Sequence, residues 1–330
     1  VGGLSEFGIG IGIGNGIGIG KRMILVEVDM AIELSGIHIL LTYTCTYECD
    51  HCFVWGSPFQ EGTLSLDQID EVLTQAKELH TVEWIYFEGG EPFLYHPVVV
   101  KAVKTAAGAG FKVGLVSNAY WAIEVRDAIE WLRPLEGLIQ DLSVSSDLFH
   151  QTDEMDRTAR NAVEAAEQLG IPVGTISIAQ PDTETGSVVG QLPLGESAVQ
   201  FRGRAADKLV GDAPLLPWES FTECPCEDFR DPGRIHLDPL GNVHICQGLS
   251  LGNVFRTSLK AMCEAYVPEG HPVIGPLLAG GPAELVRRYD VAHEASYADA
   301  CHLCYEARRA LRDRFPDILT PDQMYGVENV

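Results

Sequence analysis

From residue 36 to about residue 206, β-rich apolar runs alternate with helical ones, and this alternation limits the possible fold more than any other feature. GIHILLTYT (36–44), VEWIYF (82–87), FKVGLVSN (111–118), LIQDLSVSS (138–146) and IPVGTISIAQ (171–180) read as five strands, and SAVQFRGRA (197–205) as a sixth. Between them, 65–80 carries apolar residues at helical spacing behind Ser65 as N-cap. Residues 97–109 read as a helix stopped by Gly110, 121–133 as one ended by Pro134, and 158–170 as one ended by glycine. Strands and helices alternating at this period indicate right-handed crossovers and a parallel sheet. Five or six such units, rather than eight, predict an α/β fold of the partial (β/α)6 TIM-barrel type. Its chemistry belongs on loops at the carboxyl ends of strands.

After residue 206 the texture changes. Prolines and glycines crowd 211–241 and 267–282, and six of the nine cysteines lie from 224 onward. The barrel is therefore expected over 23–206 and a small cysteine-rich module over 207–330. Residues 1–22, with GIGIGIGNGIGIG at 8–20, are expected to lie outside the fold, because nine glycines in twenty residues make a strand entropically costly. Lys21 and Arg22 follow the apolar stretch instead of preceding it, which excludes a signal peptide. No Lys-Ser/Thr pair follows the glycines, which excludes a P-loop. The net charge of −24 argues against nucleic-acid and anionic-membrane partners, and no apolar run is long enough to span a bilayer.

Without a signal peptide a reducing, cytoplasmic setting is expected, so metal is a better default for the cysteines than disulfides. Cys45, Cys49 and Cys52 have gaps of three and two residues and follow the first strand, at a carboxyl end. Three thiolates from one loop can hold three irons of a cubane and leave the fourth open to a ligand. A structural zinc loop is the plain alternative.

CTYECDHC followed by Phe53 resembles the CxxxCxxC motif of the radical S-adenosylmethionine (radical SAM) enzymes, and the resemblance covers about 36–206. It implies that Cys45, Cys49 and Cys52 bind a catalytic 4Fe–4S cluster. The open iron is chelated by S-adenosylmethionine, whose reductive cleavage yields a 5′-deoxyadenosyl radical for hydrogen abstraction. Gly89-Gly90-Glu91-Pro92, one βα unit later, looks like the family's GGEP motif, which implies that Glu91 meets the methionyl ammonium. By the same resemblance Ser117, Asn118, Ser145, Ser146 and Asp147 face the ribose and carboxylate of the cofactor, and Ile176 and Ile178 flank its adenine. His51 takes the place of an aromatic beside that adenine, next to Phe53. Arg204 pairs with the cofactor carboxylate or with the substrate. Glu88 reads as a structural hydrogen-bonding residue, and His150 as either a proton carrier or a loop cap.

Cys226, then Gly241, Cys246, and the pair Cys301–Cys304 are similar in spacing to the C-terminal SPASM or twitch modules of these enzymes. One auxiliary 4Fe–4S cluster, held by Cys226, Cys246, Cys301 and Cys304, is implied, with Cys224 able to replace Cys226. Zinc is the alternative. Cys263 reads as a buried helical thiol, and Trp55, Trp84 and Trp121 as packing residues.

The function expected first is oxidation or other modification of a small molecule such as a sugar or cyclitol. Modification of a ribosomally made peptide, by thioether, carbon–carbon or epimerising chemistry, is the alternative. There a separate partner would supply the peptide-binding domain, since at most 35 residues precede the first strand. A non-catalytic iron–sulfur electron carrier is a third reading, which GGEP disfavours. An electron donor such as flavodoxin or ferredoxin is expected as a partner.

Overall fold

The computed structural model describes residues 32–146, 153–181 and 195–327. The low-complexity segment 1–22, Asp147 and His150 lie outside the described residues.

Six strands run in parallel in the order of the chain: β1 (Gly36–Thr42), β2 (Trp84–Gly89), β3 (Lys112–Ser117), β4 (Asp141–Ser145), β5 (Val173–Ile178) and β6 (Gly195–Ser197). Helices α1 (Leu66–Leu79), α2 (His96–Gly108), α3 (Val125–Leu132) and α4 (Asp153–Gln168) fill the first four crossovers. This is the partial barrel expected. All seven residues of β1 are buried, as an inner parallel strand requires. Ser65 caps α1 in a full capping box with Gln68.

The sixth strand is shorter and earlier than 197–205. The chain leaves β6 after Ser197, and FRGRA runs through a turn into the short helix α5 (Arg204–Lys208). Gly203 has φ +61°, which no strand accommodates. After β7 (Leu216–Pro217) the cysteine-rich region returns to the barrel. Strand β8 (Arg234–Leu237) pairs in parallel with β1, and β9 (Asn242–Cys246) and β10 (Leu249–Asn253) extend the sheet antiparallel beyond it. One nine-stranded sheet results, in the order β10-β9-β8-β1-β2-β3-β4-β5-β6. Helices α6 (Leu259–Ala265) and α7 (Ile274–Tyr289), strand β11 (Ser296–Tyr297) and helix α8 (Ala300–Ala310) complete the chain, β11 pairing with β7.

The C-terminal region also braces the first cysteine loop. Trp55 Nε1 donates to Tyr305 Oη at 3.0 Å, and Gln323 Nε2 donates to the carbonyls of Val54 and Trp55 at 2.9 and 3.0 Å. Among the described residues no helix is long and apolar enough to cross a membrane.

Candidate functional site

The loop after β1 is closed at its base by bridges between Thr42 and Thr63 and between Thr44 and Ser57. Within it Cys45 N donates to Ser57 O at 2.9 Å, and Cys52 N to Cys49 O at 3.0 Å. Folded this way, the loop turns all three thiols into one cavity of about 220 Å³. His51, Phe53, Gly89, Gly90, Asn118, Ile176 and Ile178 line the same cavity, so with the three cysteines ten of the sequence-predicted site residues converge on it. Gly56 N donates to Cys52 Sγ at 3.2 Å, and Asn118 Nδ2 approaches Cys45 Sγ at 3.6 Å. Burial pushes the Cys45 thiol up to about 12. A free thiol so disinclined to ionise is a poor nucleophile, whereas a bound metal ionises it outright. Three thiols from one loop, with donors aimed at two of their sulfurs, fit a cubane held by three protein ligands.

The glycines of GGEP answer first to the protein itself. A Cβ on Gly89, at φ +136°, would lie 2.5 Å from Thr42 O, and one on Gly90 would lie 2.2 Å from Thr44 O. Gly90 N donates to Thr42 O at 2.7 Å and Glu91 N to Thr44 O at 2.9 Å. The end of β2 is thereby pressed against the cysteine loop.

Six of the predicted residues, Glu91, Pro92, Ser117, Ser145, Ser146 and Arg204, are not among those lining the cavity. Glu91 is wholly buried and does not line the cavity. Its Oε1 accepts from Phe93 N and Ser117 Oγ, both at 3.0 Å, and its Oε2 from Asn118 N at 2.8 Å. Burial pushes its carboxyl up to about 7 despite these three donors. With both oxygens so engaged, Glu91 ties the end of β3 to the turn after β2 and positions Asn118. Ser117 gives its proton to Glu91 and accepts from Trp121 Nε1 at 3.0 Å, so it too faces inward. Ser145, at the end of β4, lies outside the cavity lining. Arg204 is buried, and its guanidinium donates to Cys49 O at 2.7 Å and Gly56 O at 2.9 Å. It grips the cysteine loop from behind. Pro92 is buried at the start of a 3₁₀ turn.

The opposite wall of the cavity is polar, and the sequence did not announce it. The β1–β8 register sets His38 beside His236, and β2 brings Glu88 to the same face. Glu88 Oε2 lies 3.1 Å from His38 Nδ1, and Oε1 lies 3.4 Å from His236 Nε2. Arg234 Nη1 stands 3.3 Å from His236 Nδ1. A guanidinium only donates, so Nδ1 accepts; Nε2 lies 3.4 Å from Gln247 Nε2, and Glu88 Oε1 receives no hydrogen bond among the described residues. Burial, then His38 and Arg234, hold His236 well below its ordinary pKa and therefore neutral. The ligand atoms of His38, Glu88 and His236 fall within 4.8 Å of one another. A metal-bound histidine, however, needs an acceptor at its other nitrogen, and Arg234 is none. The wall is suited instead to accepting a hydrogen bond or proton from a substrate.

The second cysteine set converges as well. Cys224, Cys226, Cys246, Cys301 and Cys304 all line a second cavity, walled by Arg202 and Arg308. The β8–β9 hairpin delivers Cys246, and α8, capped by Asp299, delivers Cys301 and Cys304 one turn apart. The Cys226 and Cys301 sulfurs are 3.6 Å apart. Tetrahedral zinc, with Zn–S of about 2.3 Å, needs all four sulfurs about 3.8 Å from one another. Among the described residues no three cysteine sulfurs lie within 4.8 Å of one another. Five cysteines beside two arginines on one cavity offer enough thiols for a multi-iron cluster or for a single ion. Cys224 and Cys226 both face the cavity, so the choice between them stays open. Cys263 is a buried thiol on α6, apart from the set.

Residues 39–185 match the model of the Radical SAM superfamily, so the barrel segment is a radical SAM domain. The cofactors of such a domain are a 4Fe–4S cluster and S-adenosylmethionine. The chain is 25% identical over 129 residues to YydG of Bacillus subtilis, named for peptide biosynthesis, covering 39% of this chain and 40% of that protein. It is 35% identical over 88 residues to PqqA peptide cyclase of Streptomyces rochei, covering 26% of this chain and 23% of the relative. The matches therefore span well under half the length of these relatives. Streptococcus suis SuiB bound to precursor peptide SuiA aligns with a TM-score of 0.43 at 11% identity, over 82% of this chain and 76% of that one.

Proposed function

We propose that this protein is a radical SAM enzyme that modifies a peptide. The observation that carries the radical SAM reading is the convergence of Cys45, Cys49 and Cys52 with Gly89, Gly90 and Asn118 on one cavity. A 4Fe–4S cluster and S-adenosylmethionine, when bound, supply one-electron cleavage of the sulfonium and, with it, the means to abstract a hydrogen atom from a substrate. The protein's part is placement. The loop supplies three thiols, Arg204 fixes the loop backbone, and Glu91 holds Asn118 beside Cys45. Ile176 and Ile178 give the cavity an apolar side, and the Glu88 wall gives it an acceptor for a substrate hydrogen. Two relatives named for peptide chemistry favour a peptide over the sugar or cyclitol expected first. Oxidation of such a small molecule is the second reading, supported by the polar wall, where a hydroxyl proton can be received.

The test uses anaerobically reconstituted protein with S-adenosylmethionine and dithionite. Short precursor peptides encoded beside its gene, and separately sugars and cyclitols, are added. Peptide-stimulated 5′-deoxyadenosine with a mass change in the peptide is the expected result. Stimulation by cyclitols alone would move the assignment to the second reading.

A further inference from the structure

The segment FRGRA places two arginines two residues apart, and each attends to a different cysteine set. Arg204 holds the carbonyls of Cys49 and Gly56 in the first loop. Arg202 turns the other way and brings Nη1 to 3.2 Å from Cys246 Sγ. Gly203 between them is fitted against the first loop. At φ +61° a Cβ there would meet Cys52 O and Phe53 Cα, both at 2.5 Å. Arg202 also stacks over Phe53 with its guanidinium carbon 5.9 Å from the ring centre. It is the arginine that lines both cavities. Its carboxylate neighbour, Glu227 at 3.6 Å, is shared with Arg234 at 3.5 Å, so one negative charge faces two positive ones. Asp299, at the start of α8, is a second carboxylate in the field of Arg202, so the fixed charges of this wall are closely balanced and Arg202, protonated at any working pH, is the cation that reaches both cavities.

We propose that Arg202 is the charge link between the two cysteine sites, a positioning residue that sets the electrostatic balance of the second cavity from the wall it shares with the first. This rests on the reading of the second cavity as an iron–sulfur site. A thiolate-bound cluster gains negative charge on reduction, and a nearby fixed cation favours that reduced state. For one unit charge a few ångströms away, at an effective dielectric constant of about 20, the interaction exceeds what a tenfold change in the reduced-to-oxidised ratio requires. Arg202→Met removes the charge at similar length, and Arg202→Lys keeps it.

The experiment is an EPR-monitored potentiometric titration of the full, reconstituted chain, with iron and sulfide measured on each sample. At the wild-type midpoint, Arg202→Met is expected to lower the reduced-to-oxidised ratio of the second cluster at least tenfold, a shift of about 59 mV for one electron. Arg202→Lys is expected to stay within about threefold of wild type. Loss of that cluster's iron in the Met variant, with retention in the Lys variant, also supports the proposal, because charge is what separates the two. A Met variant with full iron and a ratio within twofold of wild type overturns it, as does equal loss of iron in both variants. If wild type itself carries about four irons that vanish when Cys45, Cys49 and Cys52 are replaced, the second-cluster reading fails, and the charge link fails with it. The iron count identifies that case separately.

Discussion

Replacing Arg204 by Met separates two roles that one arginine can have beside a cofactor. If the guanidinium met the cofactor carboxylate, its loss would weaken S-adenosylmethionine binding and leave the fold alone. In the structure it is buried and donates at 2.7 and 2.9 Å to the carbonyls of Cys49 and Gly56. Hydrogen bonds from a charged donor contribute about 1.5–3 kcal/mol each, so the two together hold about 3–6 kcal/mol. Cys49 is half-buried, so water recovers part of its share, and a loss of about 3 kcal/mol is the working figure. Urea unfolding of metal-free protein measures it as a fall in the midpoint at unchanged slope. The loosened loop is also expected to retain less iron after reconstitution, since the Cys49 and Gly56 carbonyls lie on either side of Cys52. A variant with wild-type stability and wild-type iron, but weakened S-adenosylmethionine binding, would refute the reasoning and return Arg204 to the cofactor.

Gly90→Ala is expected to lower iron content and stability together, because its Cβ would fall 2.2 Å from the Thr44 carbonyl and the backbone of the cysteine loop must shift. Iron analysis with thermal melting checks this, and a wild-type-like variant would mean the approach is looser than the structure has it. His271 accepts from Val273 and Ile274 N–H groups at 3.2 and 3.1 Å at the start of α7, and burial lowers its pKa to about 4 from 6.5. Its folded-state pKa is depressed, so its contribution is complete above pH 6.5 and is lost as the pH falls toward 4. Discounted for its partial exposure, that loss is about 2 kcal/mol. His271→Asn should therefore flatten the stability profile of the metal-free protein between pH 6.5 and 4, as read by urea midpoints. An unchanged slope would sink the assignment.

Much of the barrel was legible because parallel inner strands are continuous apolar runs and their helices carry capping and stop signals. Ser65 caps α1 as its position before the apolar run promised, and the structure adds Gln68 as the other half of a capping box. The cysteine triplet and GGEP were legible because local spacing fixes local geometry. The sixth strand was misplaced because VQF in SAVQFRGRA has β character, while Gly203 needs a positive φ and sits against Cys52. The orientation of Glu91 and Arg204 was not legible either. A carboxylate and a guanidinium beside an expected cofactor look available, and only the fold shows that backbone groups of Phe93, Asn118, Cys49 and Gly56 occupy them. His38 and His236 lie far apart in the chain and meet because β8 pairs with β1, a pairing no local pattern encodes.

The most direct test of the account compares wild type with the Cys45/Cys49/Cys52 triple alanine variant, purified without oxygen and reconstituted. Iron, sulfide and 5′-deoxyadenosine formation from S-adenosylmethionine are measured on both. The account predicts about eight irons falling to about four, with 5′-deoxyadenosine formation abolished. Unchanged iron, or 5′-deoxyadenosine still formed by the variant, would contradict it.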